Sequence, residues 1–192
     1  MMRPRIESLA QLAPISRHVK TWLRSNKPGA GFNNSEDIYR MERTDGELLY
    51  LDDIQVGQKF GSASYAVDEA QIKAFASQFD PQPFHLDEQA ARDSLFGGLA
   101  ASGWHTAAIT MRLIVTSGAR FAGGVIGAGC EISWPIPTRP GDVLSVESEV
   151  LQVSASRSRP DRGIVTIRNK THNQAGEVVQ VMTAKMVVFR RT

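Results

Sequence analysis

Hydrophobic positions recur at two different periods along this chain, and the change of period divides it. From Lys59 to Val67 apolar and polar residues alternate loosely, which predicts a first strand. Asp68 then has the form of a helix N-cap, with Gln71 three residues on as its capping-box partner. Ile72, Phe75, Ala76 and Phe79 follow at helical spacing, so a helix is expected to run to about Phe79. It cannot continue through Asp80-Pro-Gln-Pro-Phe-His85, because each proline lacks an N–H and restricts the residue before it. Asp87 is placed to cap a short second helix reaching about Ser94.

A longer helix is predicted over 103–117, with Ser102 as its N-cap and a length of roughly 22 Å. Ala107, Ala108, Ile109, Met111, Leu113, Ile114 and Val115 make it apolar around most of its circumference. A helix of that kind has to be enclosed by protein. The remainder returns to β character over 123–134, 142–153, 163–172 and 178–189, with turn-rich breaks between the runs. One buried helix and about five sequential strands predict an α+β domain in which an antiparallel sheet wraps the helix.

Composition adds limits more than direction. The chain has 192 residues, a formal net charge of +2 and one cysteine, Cys130. A balance so close to neutral argues against a nucleic-acid interface, and no apolar run approaches a membrane span. A lone cysteine excludes an internal disulfide and suits a reducing compartment. The charge is uneven, however. Residues 1–34 hold Arg3, Arg5, Arg17, Lys20, Arg24 and Lys27 against Glu7 alone, while the rest of the chain carries 16 basic and 19 acidic groups. Residues 1–47 are therefore read as a basic extension and linker, and 48–192 as the folded domain. The domain is expected to be cytoplasmic, or in an organelle matrix should the extension act as a transit peptide.

The chemistry concentrates in 79–103. Two prolines between Asp80 and His85 stiffen the loop that carries a carboxylate and an imidazole, and fixed side chains are what a catalytic pair requires. Converging, they would hold a water, take its proton and return one to a substrate. Gly103 begins the long helix, where unsatisfied N–H groups favour developing negative charge. The set suits proton transfer α to a thioester carbonyl. Taken singly, Asp80 reads as an Asx turn, His85 as a hydrogen-bonded structural histidine, and Gly97, Gly98 and Gly103 as turn glycines. Order and spacing together give the set its weight. Trp104 and Met111 are candidates for an acyl pocket, although Met111 also reads as core. His105 is expected to be a structural neighbour of the site. Arg92, Arg112, Arg120 and Arg139 are possible phosphate contacts, with ordinary surface roles favoured. No metal-ligand spacing and no phosphate-cradling P-loop is present.

Phe75-Ala-x-x-Phe-Asp-Pro-Gln-Pro-Phe-His-Leu-Asp87, followed by Ala91, Phe96-Gly-Gly and Ser102-Gly103, resembles the MaoC-like dehydratases, which include the (R)-specific enoyl-CoA hydratases. The resemblance covers roughly residues 50–190. It implies the hot-dog fold, Asp80 and His85 as the groups that activate water, and the Gly103 amide as the group polarising the thioester carbonyl. It further implies an acyl-CoA substrate, a homodimer or higher oligomer, and no separate cofactor. Three positions depart from the family pattern. Gln82 replaces a common Asn, Ser102 replaces the His before the glycine, and Met111 replaces a serine that supports the site in many hydratases. Two alternatives stay open: a hot-dog thioesterase, and a non-catalytic acyl-CoA-binding subunit, which the missing serine and the missing His before Gly103 suggest.

Overall fold

The computed structural model describes residues 48–191, so the basic extension lies outside the described residues. A 3-10 turn, Leu51–Asp53, leads into β1 (Lys59–Ala66). Then follow α1 (Glu69–Phe79), α2 (Pro83–Leu86), α3 (Glu88–Arg92) and α4 (Gly103–Ser117). The chain closes with β2 (Ile126–Ser133), β3 (Val143–Ala155), β4 (Arg162–His172) and β5 (Val178–Phe189).

The helix starts follow from their caps. Asp68 accepts from the Gln71 amide at 2.7 Å while the Gln71 side chain returns to the Asp68 N–H, the reciprocal pair expected at α1. Asp87 accepts from Ala90 N at 2.8 Å to open α3. One turn was not anticipated. The proline loop contains α2, which uses Pro83 at its start, where a missing N–H costs nothing. That turn places His85 on its buried side, at 4% exposure.

The strands form one antiparallel sheet in the order β1-β3-β4-β5-β2. β4 sits at its centre and alternates strictly between buried and half-buried positions, with Val165, Ile167, Asn169 and Thr171 facing in. The sheet's inner face packs on α4 through Ile109, Leu113 and Ile114, which share a core with Leu144, Val146 and Met182. This is the hot-dog arrangement, a helix wrapped by a curved sheet.

The enclosure of α4 is only partial within one chain. Ile109, Thr110, Leu113 and Ile114 are buried, whereas Trp104, Ala108, Met111 and Val115 form an exposed stripe along the helix. β2 is exposed along nearly its whole length, and it is an edge strand, paired only with β5. Met111 and the β2 residues Gly127, Gly129 and Cys130 line one cavity, so the helix stripe and the strand edge adjoin.

Candidate active site

The backbone brings three short segments together at the start of α4. The end of α1 and the turn of α2 supply Asp80 and His85. The loop over 96–102 passes behind them, and α4 begins at Gly103.

Asp80 is the polar centre. Its Oδ2 accepts from Ser102 Oγ at 2.6 Å and its Oδ1 from Gln82 Nε2 at 2.7 Å. His85 Nε2 lies 3.4 Å from Oδ2. The Ser102 hydroxyl foremost, helped by the Gln82 amide and His85, holds the carboxyl below its ordinary value of 3.8, against an opposing effect of burial second only to that hydroxyl. Asp80 is therefore an anion throughout the neutral range.

His85 is oriented from behind. Its Nδ1 lies 2.8 Å from the Ala100 carbonyl oxygen. A carbonyl only accepts, so Nδ1 carries the hydrogen, and in the neutral form of the ring Nε2 is the unprotonated nitrogen. Phe84 and Phe96 pack against the ring at centroid distances of 4.6 and 5.9 Å.

Ser102 has two tasks. Besides binding Asp80, its Oγ accepts from Trp104 N at 3.2 Å and caps α4. The residue that departs from the family's usual His thus ties the carboxylate directly to the helix start. The Gly103 N–H is in the first turn of α4, which has no intrahelical acceptor for it, and it is one residue from the serine that holds Asp80. Carboxylate and imidazole are therefore brought together beside the start of α4.

Gly103 has a reason the sequence did not reveal. A Cβ there would lie 2.8 Å from the indole of Trp134, so glycine is required by the ring packed on it. Trp134 is pinned in turn, its Nε1 donating to Gln180 Oε1 at 2.9 Å. Gln180 Nε2 donates to Thr110 Oγ1 at 3.0 Å, and Thr110 pairs with Thr171 at 2.7 Å. This chain of buried polar groups joins the first turns of α4 to the inner face of the sheet. Only its remoteness in sequence concealed it: Trp134, Thr171 and Gln180 all lie on strands or loops beyond the helix.

The other candidates separate. Met111 lines an apolar cavity of about 290 Å³ between α4 and the sheet, with Ile114, Phe121, Ile167 and Met186. Trp104 does not line it; its ring is exposed and meets Trp134 edge to face at 5.7 Å. His105 is stacked on Phe75 at 4.7 Å, its Nδ1 buried without a hydrogen-bond partner, and burial pushes its pKa down. It is a neutral packing group. Arg92 is engaged by Glu88 and Gln89, and Arg112 lies over the Tyr65 ring.

A helix wrapped by an antiparallel sheet, with an Asp–His pair at the mouth of that helix, defines a hot-dog protein. Residues 53–174 match the family model described as MaoC like domain, and the chain belongs to that family. It is 68% identical to a MaoC-like dehydratase from Rhodospirillum rubrum, whose crystal structure superposes with a TM-score of 0.74, covering 75% of this chain and 99% of that one. It is also similar to the (R)-hydratase PhaJ1 of Pseudomonas aeruginosa, at 27% identity and a TM-score of 0.58 over 74% of this chain and 86% of that one. A 3-hydroxybutyryl-CoA dehydratase from Methylorubrum extorquens is 30% identical over 118 residues, 58% of this chain and 70% of that protein. Among the described residues no helix is long and apolar enough to cross a membrane.

Proposed function

We propose that this protein adds water reversibly to a 2-enoyl-CoA, giving a (R)-3-hydroxyacyl-CoA. The observation that supports the reading is the pairing of the Asp80 carboxylate with the His85 imidazole, whose Nε2 lies 3.4 Å from Oδ2 while Nδ1 is held by the Ala100 carbonyl. A water bound between them gives a proton to Nε2 while Asp80 orients its lone pair toward the β-carbon. The new C–O bond pushes electrons through the former double bond onto the thioester oxygen. The Gly103 N–H receives that developing charge. The imidazolium then delivers the proton from Nε2 to the α-carbon, so both proton transfers use one nitrogen on one face. Dehydration is the same path in reverse. Gln82 and Ser102 keep the carboxylate in place.

The thioester is seated at Gly103, and an acyl chain extending along α4 reaches Met111 after eight residues, about 12 Å of helix. The cavity behind Met111 then receives the chain end. A second copy of this protein covers the exposed α4 stripe and the β2 edge. An unpaired strand edge beside an apolar stripe supports that pairing.

The test is a panel of enoyl-CoA esters followed by mass spectrometry. A product 18 mass units heavier than the substrate supports hydration. Release of free CoA without that product supports the thioesterase, and binding without turnover supports a non-catalytic subunit.

A further inference from the structure

The loop that orients His85 is itself held by one side chain. Arg139, on the connection between β2 and β3, directs its guanidinium at three backbone carbonyls of that loop. Nη1 donates to Gly98 O at 2.6 Å and to Leu99 O at 3.1 Å, and Nη2 donates to Phe96 O. Three carbonyl dipoles aimed at one point repel one another, and a planar delocalised cation with forked donors offsets that. The loop turns sharply to bring them together, with Gly97 in the left-handed region at φ 62°.

The clamp is braced on its own side. Arg139 N donates to Asp142 Oδ2 at 2.7 Å and Asp142 N returns to Arg139 O at 3.1 Å. One residue earlier, Thr138 O accepts from Ala101 N at 2.9 Å, and Thr138 Oγ1 accepts from Thr106 Oγ1 of α4 at 2.9 Å. The two strands of chain are thus zipped from Phe96 to Ala101. Within that zipped stretch lies Ala100, whose carbonyl fixes the His85 ring. Two residues after Ala100 comes Ser102, whose hydroxyl fixes Asp80. Both supports of the proposed catalytic pair therefore adjoin the stretch that the guanidinium and Thr138 hold.

We infer that Arg139 is a positioning residue that sets the tautomer and orientation of His85 through the Ala100 carbonyl, and not a contact for CoA phosphates. The catalytic consequence rests on the hydratase reading above; the control of His85 does not. Lysine cannot replace the arginine, because a single ammonium lacks the fork that spans three carbonyls.

Two variants test this, Arg139→Met and Arg139→Lys, with folding checked by circular dichroism and thermal melting. The chain has four histidines, so the imidazole ¹⁵N resonances of His85 can be assigned by comparison with His85→Gln. In the native protein the neutral ring should read as the tautomer protonated at Nδ1. In either folded variant the pair should move toward the averaged values of a free imidazole. With an active enoyl-CoA, kcat should fall on the order of 10²-fold, the cost of a misplacement of about 1 Å, while KM stays within a few-fold. Lysine should not rescue it. An unchanged His85 signal in a folded variant overturns the inference. So does a native kcat, or a loss confined to KM, which would mark a CoA contact. If the native protein hydrates no thioester, the hydratase reading fails while the ¹⁵N measurement still decides the role of the clamp.

Discussion

The two ends of α4 are built on opposite plans. At its N-terminal end the polar atoms of the site are matched: both Asp80 oxygens, His85 Nδ1 and Ser102 Oγ each have a named partner. Two turns further on, Met111 and Ile114 face an apolar cavity bounded by flexible methionines and thin glycine positions on β2. Matched polar groups in a partly buried setting hold one geometry, because any other leaves a donor or acceptor unpaired. Methionine walls adapt. The contrast teaches that chemistry and substrate choice are separable here, and mutations at one end should leave the other largely untouched.

The strongest test of that separation is at the polar end. Asp80→Asn and His85→Gln should each lower kcat by roughly 10²–10⁴-fold in a folded protein, the usual contribution of a positioned acid or base. Assays of hydration across several chain lengths should show the same factor for each. A factor that changes with chain length would mean that the two ends are coupled.

Ser102→Ala should have a smaller and double effect. It removes the largest influence holding Asp80 down, so the acid limb of the pH–rate profile should move to higher pH. The sign follows from linkage. A carboxyl depressed when folded adds stability above its ordinary value of 3.8 that is lost as pH falls through the folded value. The variant should therefore lose less stability on acidification. It also loses the cap of α4, about 1 kcal/mol at neutral pH, readable by urea denaturation.

At the other end, Met111→Trp should fill the cavity, reducing turnover of long-chain enoyl-CoA esters about tenfold or more while short ones are processed nearly as before; one pocket contact changes selectivity by roughly 10–200-fold. Val115→Glu, on the exposed stripe, should shift the protein toward monomer by light scattering, since a buried unpaired charge opposes association.

The smallest expected effect is at His105. Burial depresses its pKa below 6.5, so it folds neutral and the unfolded chain binds the extra proton. Its contribution is complete above 6.5 and is lost as pH falls toward the folded value. His105→Phe should flatten the pH dependence of the melting temperature below that point and leave kcat within a few-fold.

Much of this site was legible in the chain because its parts are local. The Asp68–Gln71 box, the prolines after Asp80 and the cap at Ser102 act over two to four residues, and sequence spacing reports such contacts directly. The α2 turn was missed because Pro81 and Pro83 both signal a break, while Pro83 in fact starts a helix. Arg139 and Trp134 were beyond that reach. From sequence Arg139 reads only as a possible phosphate contact, since nothing near it in the chain announces the carbonyls it meets about 40 residues away.

The sequence by itself determined the α+β class, the boundaries of the main elements and the identity of the Asp80–His85 pair. Each depends on periodicity or on caps that operate within one turn. Tertiary structure alone decided how these groups are partnered. It set the Nδ1 tautomer through Ala100, depressed Asp80 through Ser102, filled the space above Gly103 with Trp134 and left one face of α4 open. Those outcomes depend on the convergence of segments far apart along the chain, and a convergence in space has no period for a sequence to display.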